Sequence, residues 1–166
     1  MKQVMLILAV AAMIVVVAGV LTAEGETAWI DPPNCSMCKH MANEDGLLEN
    51  MEWEIHLISN GALMFTHVPE SHKAAFERAH KHMQDVGAKM MGGEKLPLCG
   101  FCRSYGELIM AGAEVENVEG EVVSVNLLTS ADEEIVEKIR AHAQKTMDEY
   151  RQYKQGLDAK AGTRGG

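Results

Sequence analysis

Two stretches of the chain alternate hydrophobic and polar residues around a glycine-containing pair, a pattern typical of β-hairpins. The first stretch has Asn60-Gly61 at its centre, and the second has Glu119-Gly120. Asn-Gly is favoured in two-residue turns because both turn residues there have positive φ. The pattern predicts four strands, at residues 52–59, 62–68, 114–118 and 121–128.

Each predicted hairpin is followed by a segment in which apolar residues recur every three or four positions, which indicates an amphipathic helix. We expect these helices at residues 70–86 and 131–153. Pro69 suits the first turn of the first helix, and Ser130 with Glu133 has the spacing of a capping box. Residues 154–166 are rich in glycine and are predicted to form a flexible tail.

A Cys-x-x-Cys pair precedes each hairpin, so the order of features repeats along the chain. A repeat of this kind predicts two α-β-β-α units, at residues 35–91 and 92–153, after a linker at residues 26–34. The predicted fold class is α+β, with the two hairpins forming one four-stranded antiparallel sheet covered by helices. Gly92-Gly93 marks the joint between the units.

The N-terminal region is the most hydrophobic part of the sequence. Residues 4–23 are an unbroken apolar run in which Thr22 is the only polar member, and Lys2 precedes it. This pattern predicts that residues 1–25 are a cleaved signal peptide or a single transmembrane anchor. Under both alternatives the remainder is extracytoplasmic, in a periplasm or at the cell surface, and contact with the membrane requires an uncleaved segment.

Composition narrows the classes of function. The chain has 166 residues, of which 47% are hydrophobic, and this is enough for one ordinary core. Its 24 acidic residues outnumber 15 Lys and Arg, for a net charge of −9, which excludes nucleic-acid binding through a basic surface. No metalloprotease, phosphate-loop or serine-hydrolase motif is present, so a binding protein is favoured over an enzyme.

Four cysteines form the two pairs, Cys35 with Cys38 and Cys99 with Cys102, and a basic residue follows each pair. Two such pairs can supply the four thiolates of a tetrahedral metal site. In an oxidising compartment they can also form disulfides or redox-active dithiols. The leading prediction is that all four bind Zn²⁺ or Cu(I). The alternatives are a thiol-disulfide redox module and a disulfide-stapled binding domain.

Cys99-Gly-Phe-Cys102 resembles the active-site motif of thioredoxin-like disulfide oxidoreductases. The resemblance is confined to this motif and the residues just before it. That fold also places a proline loop against the dithiol, and no proline follows Pro97 in this chain. The resemblance therefore implies dithiol chemistry and does not extend to the fold.

Histidine and methionine are concentrated near the first cysteine pair, where Met37, His40 and Met41 lie within seven residues of sequence with Cys35 and Cys38. Thioether and thiolate donors favour Cu(I), and imidazole suits Zn²⁺ or copper. The segment is similar in composition to those of periplasmic copper chaperones. The three residues are therefore candidate ligands, although the two methionines also have the spacing of core residues on a helix.

The first hairpin offers a further candidate site. A two-residue turn at Asn60-Gly61 would place Glu54 directly opposite His67, with His56 on the diagonal of the same face. Two imidazoles and a carboxylate in that arrangement can bind a metal ion. The alternative is that these residues form a polar sheet face or pack against a covering element.

Overall fold

The computed structural model describes residues 27–163. Its elements in chain order are α1 (Lys39–Ala42), α2 (Leu47–Asn50), β1 (Glu52–Ile58), β2 (Gly61–His67), a 3₁₀ turn (Glu70–His72), α3 (Lys73–Met91), α4 (Gly100–Met110), β3 (Glu114–Glu119), β4 (Val123–Thr129) and α5 (Glu133–Thr163). The predicted signal peptide or anchor lies outside the described residues. Within them, no helix has both the length and the apolar character needed to span a membrane.

The four strands form one antiparallel sheet in the order β1-β2-β4-β3. The two hairpins meet through their inner strands, where Ala62 of β2 pairs with Leu128 of β4. This confirms the predicted α+β class with a four-stranded antiparallel sheet. The order helix, hairpin, helix occurs twice along the chain, while descent from a duplication and the boundaries of the two units stay predictions.

The turn of the first hairpin differs from the prediction by one residue. Ile58 pairs with Gly61, so the turn is Ser59-Asn60. Gly61 is instead the first residue of β2, where the neighbouring strand approaches so closely that a Cβ atom would overlap the carbonyl oxygen of Leu128. The glycine is therefore required by close backbone packing between strands.

The second hairpin shows a similar displacement. Its turn is Glu121-Val122, because the amide of Gly120 donates a hydrogen bond to the carbonyl oxygen of Val123 (3.1 Å). Glu119, which we predicted to be a turn residue, is the last residue of β3. The glycine-containing pair identified the region of the turn in both hairpins, but of the predicted turn residues Asn60 alone lies in an observed turn.

The start of α5 is capped differently from the prediction. The Asp132 carboxylate accepts hydrogen bonds from the amides of Glu134 (2.8 Å) and Ile135 (3.4 Å). Ser130 accepts one from the amide of Asp132 (3.1 Å). Acidic and hydroxyl side chains at a helix start satisfy amides that have no partner within the helix. Asp132 therefore caps the helix, in place of the predicted pair of Ser130 and Glu133.

The end of α5 lies beyond the predicted one. The helix continues to Thr163, so its predicted end at Tyr153 is wrong and the expected tail from residue 154 begins as helix. The Lys154 ammonium group donates a hydrogen bond to the carbonyl oxygen of Glu49. This contact anchors the helix past Tyr153, and a single glycine at position 156 is tolerated because it costs only about 1 kcal/mol within a helix.

Two groups of buried side chains form the core. The first lies between the sheet and the helices α4 and α5, and consists of Ile55, Ala62, Leu108, Ala113, Leu128, Ile139 and Ala143. The second consists of Cys35, Cys38, Met41, Leu47, Met51, Val68, Ala79 and Cys99. Three of the four cysteines are thus core residues.

Candidate metal centre

The four cysteine sulfurs lie together. All four are within 4.8 Å of one another, and the sulfur of Cys38 is 4.0 Å from that of Cys99 and 3.3 Å from that of Cys102. A tetrahedral ion with sulfur ligands at about 2.3 Å holds those sulfurs about 3.8 Å apart. The spacing therefore fits four-coordinate binding after small side-chain adjustments. The predicted convergence of the two Cys-x-x-Cys pairs is confirmed.

The first pair is positioned by the turn that leads into α1. The carbonyl oxygen of Cys35 accepts a hydrogen bond from the amide of Lys39 (3.0 Å), and that of Cys38 accepts one from the amide of Ala42 (3.1 Å). The amide of Ser36 donates to the carbonyl oxygen of Pro97 (2.9 Å). This last bond joins the loop of the first pair to the segment before the second pair.

The second pair lies at the start of α4. The amides of Gly100 and Phe101, which have no partner within the helix, donate to the carbonyl oxygens of Ala28 (3.0 Å) and Trp29 (2.9 Å). A Cβ atom on Gly100 would lie 2.8 Å from the indole ring of Trp29. Only glycine allows this approach, and residues 28–29 thereby fix the start of the helix. A helix start also favours thiolate over thiol.

The site is almost closed to solvent. Cys35 has no exposed surface, Cys99 is 2% exposed and Cys38 is 6% exposed, whereas Cys102 is partly exposed. All four are free thiols in the structure. Solvent, a metal donor or an oxidant therefore reaches the cluster at Cys102 first.

The sulfurs do not ionise independently. The pKa of Cys35 is held far below the usual thiol range by hydrogen bonds from Cys102, Cys38 and Cys99. The pKa of Cys99 is lowered to about 7, chiefly by Cys102. The pKa of Cys102 is raised by its contacts with Cys35, Cys38 and Cys99 and by burial.

The pKa of the remaining thiol, Cys38, is shifted in the same direction as that of Cys102. Its contact with Cys102 acts to lower its pKa, but Cys35, Cys99 and burial outweigh that contact, so the pKa of Cys38 is raised. Without a cation, the cluster therefore favours ionisation of Cys35 and Cys99 and protonation of Cys38 and Cys102. A bound cation would remove the repulsion that keeps the last two thiols protonated.

The predicted methionine ligands lie beside the sulfurs as packed side chains. Met41 is buried and lines a small apolar cavity of about 30 Å³, together with Cys38, Cys99, Met51 and aromatic rings such as Trp53. Met37 is partly buried and packs against the same core group. Met51, which the sequence analysis did not select, adds a second thioether to the cavity wall. A ligand role for Met37 and Met41 stays a prediction.

His40 does not join the sulfur cluster. Its ring stacks on that of His82 in α3, with ring centres 5.1 Å apart. Among the described residues, the four cysteines are the group of His, Cys, Asp and Glu ligands that is gathered closely enough to hold an ion, and His40 is not a member. Cys38, which directly precedes α1, therefore lies in the sulfur cluster, whereas His40 within α1 contacts α3.

The observed register of the first hairpin changes which candidate ligands face each other across the two strands. Glu54 pairs with Phe65, and His67 lies opposite Glu52. His56 Nε2 is 2.9 Å from the Glu54 carboxylate, and His67 Nδ1 is 3.9 Å from that of Glu52. The predicted pairing of Glu54 with His67 is therefore wrong, since each histidine has its own carboxylate on an exposed face. A ligand role for Glu54, His56 and His67 stays a prediction.

A buried histidine lies behind the second pair. His142 of α5 is 5% exposed, stacks on Phe101 with ring centres 5.3 Å apart, and has its Nδ1 atom 3.0 Å from the Ser104 hydroxyl oxygen. Burial lowers the pKa of His142 to about 4. The sequence analysis missed this residue, although its place three residues after Ile139 puts it on the buried stripe of the helix.

Comparison of the chain with known protein families, with characterised proteins and with solved structures found no match. The interpretation of the site therefore depends on its own geometry. Four cysteines from two distant parts of the chain lie close together in a nearly buried cluster, and they can hold a metal ion.

Proposed function

We propose that this protein binds one Zn²⁺ or Cu(I) ion through Cys35, Cys38, Cys99 and Cys102 in an extracytoplasmic compartment. The observation that carries the proposal is the gathering of four sulfurs within 4.8 Å of one another. Two of these residues precede α1 and the other two lie at the start of α4, about sixty positions later in sequence. The spacing of the sulfurs fits a tetrahedral sulfur site after small side-chain adjustments.

Electrostatics supports a cation at this position. Buried thiolates are unfavourable unless a positive charge compensates them, and the cluster holds two groups whose pKa values are raised by their sulfur neighbours. A divalent ion bound to all four sulfurs would compensate the charge of the buried thiolates.

The number of ligands separates the two candidate metals. Four thiolates around one centre suit Zn²⁺ in a closed site, and closed sites are structural rather than catalytic because they leave no position for a substrate. Cu(I) accepts two or three soft donors, and the thioethers of Met41 and Met51 line the adjoining cavity. Both metals lead to a binding protein, in agreement with the absence of a catalytic motif in the sequence.

The location is supported by the apolar run at residues 4–23 after Lys2. A cleaved signal would release the metal-binding part, and an uncleaved anchor would hold it at the membrane. The net charge of −9 makes the protein unsuited to nucleic acids. Its proposed partner is therefore the metal ion itself.

Metal analysis of anaerobically purified protein tests the proposal. We expect one Zn²⁺ or Cu(I) per chain, released when the thiols are alkylated. In the variants Cys35→Ser and Cys99→Ser, binding of Zn²⁺ should be lost and binding of Cu(I) weakened. His56→Ala is the matched control, because it alters a candidate ligand outside the cluster. Protein that contains no metal and takes up none on titration would overturn the proposal.

A second function, thiol-disulfide exchange, is favoured by the distance between two of the sulfurs. The sulfurs of Cys38 and Cys102 lie 3.3 Å apart, and Cys102 is the partly exposed member. Without metal, this pair can form a disulfide by exchange with a disulfide such as glutathione disulfide. The two cysteine thiols give up two protons and two electrons, and glutathione disulfide accepts them to become two glutathione thiols. Mass spectrometry of unreduced digests tests this, since Cys38 joined to Cys102 is expected and bonds within each Cys-x-x-Cys pair would contradict it.

A further inference from the structure

A cleft between α3 and the sheet leads to the cysteine cluster. Its volume is about 180 Å³, and Cys38 and Cys102 both lie in its wall. Cys102 is partly exposed, whereas the other three cysteines are at most 6% exposed. Cys102 is therefore the cysteine that a molecule in this cleft reaches most easily.

One wall of the cleft is apolar and contains two thioethers. It is formed by side chains of α1, α3 and α4, namely Met41, Phe76, Met83 and Phe101. Met83 also packs against the core group that includes the cysteines. Thioethers and aromatic rings make favourable contacts with apolar and sulfur-bearing side chains. This wall therefore suits a ligand that brings a sulfur atom towards Cys102.

The opposite wall is polar, although it belongs to the core face of the sheet. On β4 this face carries Leu128, which is buried, and then Asn126 and Ser124, which line the cleft. The Asn126 side-chain amide donates a hydrogen bond to Oδ1 of Asn117 on β3 (2.7 Å). This bond leaves the amide hydrogens of Asn117 available to a bound molecule. Amide and hydroxyl groups at this position can bind the backbone of a peptide.

Metal exchange at a closed site requires one ligand that an incoming group can replace. A four-coordinate zinc ion can add a fifth ligand for a short time, so an incoming thiol can bind before a cysteine leaves. The incoming thiol loses its proton when it binds the ion, and the released cysteine sulfur takes up a proton. No electron is transferred. Cys102, the most exposed of the four cysteines, borders the space that a second sulfur needs.

We propose that this cleft binds a peptide that carries a thiol, and that this thiol exchanges the metal ion with Cys102. The inference rests on the proposed metal-binding function and adds the class of molecule that delivers or removes the ion. The apolar wall would contact the cysteine side chain of the peptide, and Asn117 and Asn126 would bond to its backbone. The carboxylate of Glu119 also lies at the cleft, so a neutral peptide is favoured over an anionic one.

The experiment measures transfer of Zn²⁺ from the loaded full chain to a coloured chelator in the presence of a thiol. The thiols are the neutral peptide acetyl-Gly-Cys-Gly-amide, glutathione, and 2-mercaptoethanol, which has no amide group. The variants are Asn117→Trp, which fills the cleft, and Asn117→Ala, which removes a polar group from its wall. Glu116→Trp is the matched control, because Glu116 is the preceding residue of β3, is equally classed as exposed and lies on the opposite face of the sheet.

We expect the neutral peptide to accelerate Zn²⁺ release from the unaltered protein. The acceleration should fall by at least about tenfold in Asn117→Trp, because an indole ring leaves too little space for the peptide, and it should be unchanged in Glu116→Trp. In Asn117→Ala the peptide should lose about two- to tenfold of its effect, as for one hydrogen bond, whereas 2-mercaptoethanol should lose none. Zn²⁺ content and the circular dichroism spectrum should be unaltered in all three variants, since both positions are exposed.

Glutathione separates two sources of the same chemistry. An acceleration by glutathione as large as that by the neutral peptide would identify a free peptide thiol as the ligand. A smaller acceleration would identify a cysteine in a partner chain, because such a cysteine lacks the carboxylates that Glu119 repels.

NMR of the reduced, metal-free full chain gives a readout that does not depend on metal binding. The probe is the S-methylated form of the neutral peptide, which has no thiol to exchange. It should shift the signals of the Asn117 and Asn126 side-chain amides and of the Met83 methyl group, and these shifts should be absent in Asn117→Trp. If the protein bound no metal, the proposed function would fail, and this measurement would still decide whether the cleft binds peptides.

Three results would overturn the proposal: an unchanged acceleration by the peptide in Asn117→Trp, an equal loss in Glu116→Trp, or no shift at the cleft residues. Recognition of a peptide would also be refuted if Asn117→Ala slowed the reaction of 2-mercaptoethanol as much as that of the peptide.

Discussion

The cysteine cluster and the first hairpin were both predicted from the sequence to gather metal ligands. The structure brings the four cysteines together, whereas the predicted pairing of Glu54 with His67 does not form. The two cysteines of each pair lie within one local turn, before α1 or at the start of α4, so the spacing within a pair follows from local backbone geometry. Distant contacts, such as that of Ser36 with Pro97, bring the two pairs together. The hairpin site depended on strand register. A turn displaced by one residue was enough to move His67 from Glu54 to Glu52.

The difference teaches which features of a sequence predict a site. A Cys-x-x-Cys pair at a helix start carries its own geometry, and two such pairs only need to meet. A cross-strand site needs the correct partner for every residue, and that partner changes with any shift of the turn. The first four predictions below compare these two regions, from the largest expected effect to the smallest.

The largest effect is expected for Cys99→Ser. It should abolish Zn²⁺ binding and lower the unfolding free energy by about 4 kcal/mol when Zn²⁺ is present at about 1,000 times the dissociation constant of the unaltered protein, because the ion stabilises only the folded chain. Urea unfolding with and without metal measures this effect. An unchanged stability difference between the two conditions would contradict a metal site at Cys99.

The next effect concerns pH and the histidine behind the cluster. Burial lowers the pKa of His142 from 6.5 to about 4 on folding, so the unfolded chain binds more protons between these values. Stability from this residue is complete above about pH 6.5 and falls by about 3 kcal/mol as the pH drops to 4. Urea unfolding across this range should show a shallower decline in His142→Phe. Parallel curves of unfolding free energy against pH for the unaltered protein and His142→Phe would contradict a lowered pKa for buried His142.

A smaller loss is expected for Gly61→Ala, which tests the observed register. The added methyl group would overlap the Leu128 carbonyl oxygen, so the unfolding free energy should fall by about 2 kcal/mol, as for other overpacked sites. Gly87→Ala in α3 is the matched control, because nothing lies within 4 Å of its Cβ position. That change should raise stability by up to about 1 kcal/mol. Equal effects at both glycines would refute the close strand contact.

The smallest effect is expected for the double variant His56→Ala with His67→Ala. Both histidines are paired with exposed carboxylates, and exposed pairs contribute at most about 1 kcal/mol. We expect an unchanged metal stoichiometry by elemental analysis and a small change in the urea midpoint. A lower stoichiometry would restore the hairpin residues as ligands and would reverse the contrast between the two regions.

The sequence predicted the fold class, the four strands and the four cysteines because these depend on local patterns and on pairs that recur. It did not predict the partner of His40, since a position two residues after Cys38 does not reveal which helix packs there. It also missed His142 and Trp29, which reach the site only through the packing of α5 and of the segment before Cys35. Contacts between distant segments, such as Ser36 with Pro97, leave no mark in a local pattern.

The length of α5 illustrates the same limit. We predicted a tail from residue 154 because the segment has few large apolar side chains and four of its thirteen residues are glycine. In the structure Lys154 bonds to the backbone of Glu49 and Tyr153 lines the cavity beside the cysteines. The Lys, Gln, Leu and Ala residues of the segment are also good helix formers, so the helix continues although the segment has no apolar stripe.

X-ray absorption spectroscopy of the anaerobically metal-loaded protein tests the central claim most directly, because it reads the identity and distance of the atoms bound to the ion. With Zn²⁺ we predict four sulfur neighbours at about 2.3 Å and no nitrogen or oxygen in the first shell. With Cu(I) we predict two or three sulfur neighbours. A first shell of nitrogen and oxygen atoms at about 2.0 Å would contradict a metal site at Cys35, Cys38, Cys99 and Cys102.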